Sequence, residues 1–469
     1  MTAIKSKPSL TEGPIFIRMF LYALPIMLTG IFQLLYNIAD NIIVGQFSGN
    51  PLALAAVGST SSLGNLIVNL LMGIAGGAGV VIAQSYGAKE FDKLSRAVHT
   101  ALIFSLVGGV FFSVIGFIFT RPALVLMGTK SEIMEWACLY LHIICLGIPA
   151  SAVYNFGAAI LRSVGDSKTP LYILSSSGII NVLLNIFFVI VCNMSVDGVA
   201  IATIIAQYIS AITVTLVLFR RSDSPYALDF SKMRVDFALL KRILRLGLPA
   251  GIQASLFSIS NIILTSGINT LPTTDISAKT IAINIEGIVY SAMNSYLHTS
   301  MTFTGQNFGA KKPERIKKSI LFAVLQVAII GIVGGQLILF FGREIASLYI
   351  SPSDPNKEAV LAAAMKLMKF MLSTYFLCGV MDALSGSLRG LGYSLTPMLM
   401  SIGCICVLRS LWVFFIFPLP RFNSLVGIYT IYPISWLSAA LLMVIALIFA
   451  MRKINKKFKK EEQAAPESE

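Results

Sequence analysis

Acidic and amide side chains stand inside long apolar runs of this chain of 469 residues. The first such run, IFQLLYNIADNIIVG, carries Gln33, Tyr36, Asn37 and Asp40 at the i, i+3, i+4, i+7 spacing of a single helix face. A carboxylate is costly in a hydrocarbon medium, and one that is retained there usually has a function. The stripe therefore favours a cation or proton site at Asp40; the alternative is a structural hydrogen bond between helices.

Two later apolar runs carry pairs of polar residues, each pair spaced i and i+4 on one helix face. The first pair is Asn181 and Asn185, and the second is Thr203 and Gln207. Because such groups need partners when lipid surrounds them, the simplest arrangement places them around Asp40. Amide, hydroxyl and carboxylate oxygens are hard ligands, which suit sodium or a hydrogen-bonded carboxylic acid.

A second group of ionisable residues lies in the later apolar runs. Glu286 stands in the middle of IAINIEGIVYSAMNSYLHTS, and we predict it to be a second coupling or cation-binding carboxylate. Asp382 could serve the same function or could bond one helix to another. His142 and His298 could relay protons or be satisfied core histidines. Arg409 could pair with Asp382 or extend toward the interface.

Composition shows what must position these groups. Hydrophobic residues make up 56% of the chain and charged residues only 12%, and the mean hydropathy is +0.80. A soluble domain needs a charged surface, so these values exclude most soluble enzymes, disordered chains and secreted disulfide scaffolds. The six cysteines lie in or beside apolar runs and are interpreted as small apolar residues, with no metal site among them. We conclude that the protein is an all-α polytopic membrane protein.

Twelve apolar segments are long enough to cross a bilayer as helices, and no soluble domain of any size fits between them. Their predicted limits are 15–45, 52–84, 94–120, 133–160, 170–192, 197–219, 238–268, 277–306, 317–341, 359–386, 394–418 and 425–451. Most of the 36 Lys and Arg residues fall in alternate gaps on one side, which predicts that both termini are cytoplasmic.

The longest polar gap divides the chain into two halves of six segments each. We predict a cytoplasmic tail (1–13), an N-lobe (14–220), a cytoplasmic linker (221–236), a C-lobe (237–452) and a second cytoplasmic tail (453–469). Because six is an even number, both halves enter the membrane in the same sense. Such repeats pack about a pseudo-two-fold axis along the membrane normal, and the cleft between them can open to each side in turn.

The halves also repeat one another in sequence. Three pairs of motifs recur in the same order at nearly constant separation: QSYGAK (84–89) with QNFGAK (306–311), LRSVGDSKTP (161–170) with LRGLGYSLTP (388–397), and Leu24-Pro25 with Leu248-Pro249. The Gly of each GAK motif is expected to end a helix, and each Thr-Pro to begin the next one. A proline inside a span, such as Pro25, can kink it.

These motifs, together with YNIADNIIVG in the first span, resemble the multidrug and toxic compound extrusion (MATE) transporters of the prokaryotic kind over nearly the full length. The resemblance implies a twelve-helix antiporter that expels organic cations in exchange for sodium or protons. It implies that Asp40 is the coupling carboxylate, that Pro25 bends with it, and that Asn181 and Thr203 join it. Asn185 stands where one branch of the family has a second acid, which is a departure from that pattern. An eighth-span Glu that is common in bacterial members matches Glu286.

The resulting prediction is a secondary active multidrug efflux transporter of the cell (inner) membrane, acting by alternating access. Its partners would be small organic cations and the lipid bilayer, without nucleic acid, cofactor or a second subunit, and its coupling ion would be Na⁺ or H⁺. The alternative is a flippase for lipid-linked oligosaccharides from the same superfamily, which needs a cleft rich in Arg and Lys. A membrane enzyme would need clustered His, Asp or Cys, and the chain has three separated histidines.

Overall fold

The structure is a computed structural model that describes residues 10–47, 52–351 and 354–464. The described chain is helical and contains no strand. Nine long helices come first: α1 (Ile15–Phe47), α2 (Ala53–Gly87), α3 (Phe91–Leu126), α4 (Ser131–Ser163), α5 (Lys168–Ile186), α6 (Val196–Arg220), α7 (Phe237–Ile268), α8 (Thr273–Gly309) and α9 (Pro313–Phe340). Seven further helices follow: α10 (Gly342–Ser347), α11 (Lys357–Thr374), α12 (Phe376–Gly390), α13 (Leu395–Ser401), α14 (Leu408–Leu411), α15 (Leu425–Tyr429) and α16 (Ile431–Ala464). The predicted tail residues 1–9 and 465–469 lie outside the described part.

Eleven helical segments of the described chain are long and apolar enough to cross a membrane. The remaining predicted span, 277–306, lies in α8, which has 37 residues and is the most polar of the long helices between α1 and α9, with Asp275, Lys279, Glu286 and several Asn, Ser and Thr residues. The prediction of an all-α polytopic membrane fold is confirmed. Its span limits agree with the helix ends to within a few residues for most helices.

The last three spans are less regular than the sequence predicts. The tenth span is interrupted at Tyr375 between α11 and α12, and the eleventh contains two stretches of π-helix, Ile402–Val407 and Trp412–Ile416. Helix α16 continues to Ala464, well beyond the predicted limit of 451 and into the predicted tail. Polar residues can extend a helix out of the membrane when they pair at i and i+4, as Lys457 and Glu461 do at 3.7 Å.

The repeated motifs have the same local conformation in both halves. Helices α2 and α8 end at the Gly of each GAK motif, as predicted. The residue in the left-handed region is the lysine two positions later, with φ of 58° at Lys89 and 53° at Lys311. Gly165 and Gly392 each have φ of 93° before the Thr-Pro pair, which lies in the first turn of α5 and α13. The sequence repeat is therefore also a repeat of backbone geometry.

The described chain forms two compact units, and their boundaries fall inside helices. Leu28–Ser255 belongs to the first unit, while Leu10–Met27 and the chain from Leu256 onward belong to the second. The sequence assigns all of α1 to the N-lobe and all of α7 to the C-lobe, whereas the contacts divide both helices. The boundary in α1 lies just after Pro25, and the boundary in α7 follows Pro249 by less than two turns.

Contacts within each unit explain this division. In the second unit, the Tyr22 hydroxyl donates to Thr302 of α8 at 3.3 Å, and the backbone N–H of Leu10 donates to Gln306 at 3.2 Å. In the first unit, the Arg242 guanidinium of α7 donates to Gln84 at the end of α2. The glutamines of QSYGAK and QNFGAK thus perform the same task, because each binds the chain at or before the start of a helix from the opposite half.

Candidate functional site

The clearest polar cluster inside the spans is built around Asp40 in the first unit. Asn185 of α5 donates a hydrogen bond through Nδ2 to Asp40 Oδ1 and another to Asn181 Oδ1 at 3.3 Å. Asn181 in turn donates to Thr203 Oγ1 of α6 at 3.4 Å, and the Thr203 hydroxyl donates to the Val199 carbonyl at 2.9 Å. The i, i+4 spacing places both asparagines on the face of α5 that meets α1 and α6. The structure therefore brings Asp40, Asn181, Asn185 and Thr203 together.

This cluster is buried but incompletely satisfied. Asn185 is fully buried and Asn181 is 6% exposed, while Asp40 is partly exposed. Asn185 Oδ1 is buried without a hydrogen-bond partner among the described residues. A buried acceptor of this kind normally has a partner. Together with the carboxylate, it leaves oxygen ligands available to a cation.

Other members of the predicted stripe lie apart from the cluster. The Tyr36 hydroxyl donates to the Ser175 carbonyl of α5 at 3.0 Å, so Tyr36 is tied to the same helix at another level. Asn37 is exposed and forms no hydrogen bond within the described residues. The Gln207 carboxamide lies against Gly147 of α4 and does not reach Asp40. The polar residues predicted to share one face of α1 therefore identify the correct face of the helix. Of these residues, Tyr36 and Asn37 do not belong to the cluster around Asp40.

A second group of polar residues lies in the second unit. Asp382 of α12 is 8% exposed and accepts a hydrogen bond from Asn294 Nδ2 of α8 at 3.3 Å. Asn294 also donates to the Tyr290 hydroxyl at 3.4 Å. Arg389 lies about two turns further along α12, and no ion pair joins it to Asp382 among the described residues. This geometry shows the helix-to-helix bond that the sequence offered as one of two roles for Asp382.

Glu286 is placed differently. It is partly exposed, and no hydrogen bond or ion pair involves it within the described residues. Its charge acts on three phenols, those of Tyr375, Tyr429 and Tyr432. A carboxylate within electrostatic range of phenol rings is suited to an organic cation, because charge attraction and cation–π contact can act on the same cation.

Arg409 adopts neither of the roles considered from the sequence. It is 4% exposed, and no ion pair joins it to Asp382 in the described chain. Its guanidinium lies 3.9 Å from the centroid of the Tyr432 ring and 5.8 Å from that of Trp436, and its Nε donates to Ser435 at 3.1 Å. Aromatic rings and a hydroxyl therefore hold this cation.

The structure also shows the surroundings of Pro25 and of the two histidines that lie in membrane spans, His142 and His298. The His142 ring stacks on Phe117, with ring centroids 4.2 Å apart, and His298 is partly buried on α8. Pro25 is buried inside α1, which continues through it to Phe47. The sequence alone does not show that Tyr140 lies within electrostatic range of Asp40, or Tyr375 within range of Glu286, because an aromatic residue in an apolar span gives no distinct signal.

The comparisons with known proteins agree with this architecture. The MatE family model matches residues 25–187 and 249–414. The chain is 31% identical over 412 residues to "Probable multidrug resistance protein YoeA" of Bacillus subtilis (strain 168), which covers 86% of each protein. It is 25% identical over 400 residues to "Probable multidrug resistance protein YpnP" of the same strain, covering 85% of this chain and 88% of the relative.

A solved structure described as "Outward-facing conformation of a multidrug resistance MATE family transporter of the MOP superfamily" has the same fold. The TM-score is 0.87 at 22% sequence identity, over 97% of this chain and 100% of the other. The two matched regions of the family model lie one in each half of the repeat and together cover most of the sequence. The chain therefore belongs to the MatE family of multidrug efflux transporters.

Proposed function

We propose that the protein exports small organic cations in exchange for Na⁺ or H⁺, with the coupling ion bound at Asp40. The observation that carries this proposal is the buried, unpartnered Oδ1 of Asn185 beside a carboxylate that stands in a membrane span. Charged groups in a bilayer usually mark ion pathways. Here Asp40 supplies the negative charge, and Asn181, Asn185 and Thr203 supply neutral oxygens.

This composition suits both candidate ions. Hard oxygen ligands favour Na⁺ over softer metals. A carboxyl group that accepts the Asn185 N–H can also bind a proton on its second oxygen. One branch of the transporter family has a second acidic residue where this chain has Asn185. The cluster here therefore carries a single negative charge. A single charge needs one monovalent cation for neutrality.

We propose that the organic cation binds in the second unit at Glu286. This carboxylate has no hydrogen bond or ion pair among the described residues, and the phenols of Tyr375, Tyr429 and Tyr432 lie within its electrostatic range. Exchange requires that the affinity of each site changes between the inward-open and outward-open states, since an ion bound equally in both states shifts no equilibrium. Alternating access of a central cleft would supply that change.

The flippase alternative is less well supported. A pyrophosphate-linked substrate would need free guanidinium or ammonium groups inside the spans. Arg409 is buried and is already held by Tyr432 and Ser435. Glu286, which has no hydrogen bond or ion pair among the described residues, would repel a phosphate.

The test is ethidium efflux from vesicles that contain the purified protein, under an imposed Na⁺ gradient and, separately, an imposed proton gradient. We expect wild-type protein to respond to one gradient and Asp40→Asn to abolish that response. The matched control is Asp223→Asn, the same substitution at an exposed position of the linker, which should transport like wild type. If Asp40→Asn responds to the gradient as wild type does, Asp40 is not the coupling group.

A further inference from the structure

A cavity of about 1020 Å³ lies at one end of the first unit, outside the polar clusters described above. It is bounded by the first turns of α3, the end of α6 and the linker (221–236). Phe91 and His99 of α3, Phe219 of α6, and Leu228 and Lys232 of the linker are among its lining residues. Nothing in the transport proposal uses this cavity.

The linker wall of the cavity is fixed to the helices beside it. At its start, the Arg221 guanidinium donates to the buried Asp166 carboxylate at 2.8 Å and to the Thr169 hydroxyl at 3.0 Å. At its end, the backbone N–H of Asp236 donates to the Thr100 hydroxyl at 3.0 Å.

His99 holds the middle of the linker. Its Nδ1 lies 2.7 Å from the Ser95 carbonyl, and its Nε2 lies 3.0 Å from the backbone nitrogen of Asp229. A carbonyl can only accept, so Nδ1 donates to Ser95, while Nε2 lies 3.0 Å from both the backbone nitrogen and the carbonyl oxygen of Asp229. The linker is thus tied at both ends and in the middle, which makes the cavity a preformed feature.

Four basic residues line this cavity, and two of them have no acidic partner in the described chain. Arg96 pairs with Asp236 at 2.9 Å, and Lys232 pairs with Asp229 at 3.2 Å. Hydrogen bonds from Ser231, and then Lys232, lower the pKa of the Asp229 carboxyl to about 2, so it stays charged. Arg220 and Arg234 also line the cavity, and no ion pair or hydrogen bond engages their guanidinium groups within the described residues. Guanidinium groups bind phosphate through two parallel hydrogen bonds.

The surroundings of the cavity are apolar and exposed. Phe219 is 47% exposed, and its ring lies 5.4 Å from that of Phe230, which is 58% exposed. Phe237, at the start of α7, is 78% exposed. Since α3, α6 and α7 are membrane spans that begin or end here, these rings lie where a bilayer meets water, the position that aromatic residues favour. Apolar rings beside unpartnered guanidinium groups match a molecule with acyl chains and a phosphate.

We propose that this cavity binds the headgroup of an anionic phospholipid, with Arg220 and Arg234 contacting its phosphate. The rings of Phe219 and Phe230 would lie beside the acyl chains. The site is independent of the transport proposal, because it contains no residue of the Asp40 cluster or of the Glu286 environment.

The test uses the purified full-length protein in detergent micelles, titrated with phosphatidylglycerol or phosphatidylcholine and analysed by native mass spectrometry. We expect wild-type protein to retain phosphatidylglycerol in preference to phosphatidylcholine. Arg220→Gln combined with Arg234→Gln should weaken phosphatidylglycerol binding about 25-fold, because each basic group near a phosphate contributes about fivefold and the two effects multiply. Arg220→Lys combined with Arg234→Lys keeps both charges and should keep most of the preference, which excludes misfolding as the cause of the loss.

The matched control removes two exposed basic residues elsewhere, Lys456→Gln with Lys459→Gln on α16. This variant should retain the preference for phosphatidylglycerol. An equal loss in both double variants would show non-specific charge attraction and overturn the proposal. Displacement of the lipid by inorganic phosphate at the same concentration would show that the ligand is free phosphate, which would also overturn it.

Discussion

Gly77 of α2 and Gly247 of α7 face each other where the backbones of the two helices touch. A methyl group at Gly77 would lie 2.7 Å from the Cα of Gly247 and 2.6 Å from the carbonyl oxygen of Ile243. One turn away, a methyl group at Gly73 would meet the backbone of Gly251. Small residues at i and i+4 allow membrane helices to approach this closely. This close contact between α2 and α7 explains why the first part of α7 belongs to the first unit.

Replacing either glycine by alanine should destabilise the protein. For Gly77→Ala and Gly247→Ala, the added methyl group must push two backbones apart, which typically costs about 1–3 kcal/mol of unfolding free energy. The measurement is the thermal unfolding temperature of the purified protein in detergent. The control is Gly403→Ala, because a methyl group at Gly403 would meet nothing within 4 Å. If all three variants unfold at the same temperature as wild type, the close approach of α2 and α7 is absent in solution.

Asp382 and Glu286, the two acids of the second unit considered above, should differ in role: Asp382 should stabilise the fold, and Glu286 should act in transport. Asp382 is buried and bonded to Asn294, so Asp382→Asn weakens a hydrogen bond to a charged group and should cost about 1–3 kcal/mol of stability. Glu286 has no such bond, so Glu286→Gln should leave the unfolding temperature close to wild type while lowering ethidium efflux. Thermal unfolding and vesicle efflux of the same preparations measure both effects. A reversed pattern, with Glu286→Gln unstable and Asp382→Asn inactive but stable, contradicts this assignment.

The left-handed residue after α2 offers a stabilising substitution. Lys89 has φ of 58°, a conformation that costs a residue with a side chain about 1 kcal/mol and costs glycine almost nothing. Lys89→Gly should therefore raise the unfolding temperature. Lys89→Ala removes the same long side chain without relieving the backbone, and it should not stabilise the protein. Equal effects of the two substitutions would mean that the backbone angle is not the cause.

The sequence predicts most of the spans well because they are long apolar runs with polar ends. It also predicts the face of α1 that carries Asp40, since i, i+3, i+4, i+7 spacing follows from helix geometry. Periodicity does not show which polar residues on other helices are within reach. Asn185 contacts Asp40, whereas Gln207, with the same i, i+4 pattern, lies against Gly147. The difference depends on the rotation and depth of α5 and α6, which only packing determines.

The division of α1 and α7 between units could not be predicted either. Hydropathy assigns a helix to the membrane as a whole, but the contacts of Tyr22 with Thr302 and of Arg242 with Gln84 depend on tertiary structure. The sequence repeat gives one indication of this division, because QSYGAK and QNFGAK both have a glutamine at the same position. Since polar residues at the end of an apolar helix are also expected at an interface, the motif alone did not indicate that each glutamine binds the opposite half.

The contact between Asn185 and Asp40 gives the most direct test of the candidate ion site. Asn185→Leu keeps a similar side-chain volume but removes both the donor to Asp40 and the unpartnered Oδ1. A hydrogen bond to a charged group contributes about 1.5–3 kcal/mol, so cation-driven efflux should fall roughly 10- to 100-fold. The control is Asn155→Leu, because among the described residues the Asn155 amide bonds Ser151 of its own helix alone, at 2.9 Å to the carbonyl. The measurement is ethidium efflux as a function of the driving-ion concentration. If both variants lose activity equally, the loss reflects helix packing, and Asn185 has no particular role beside Asp40.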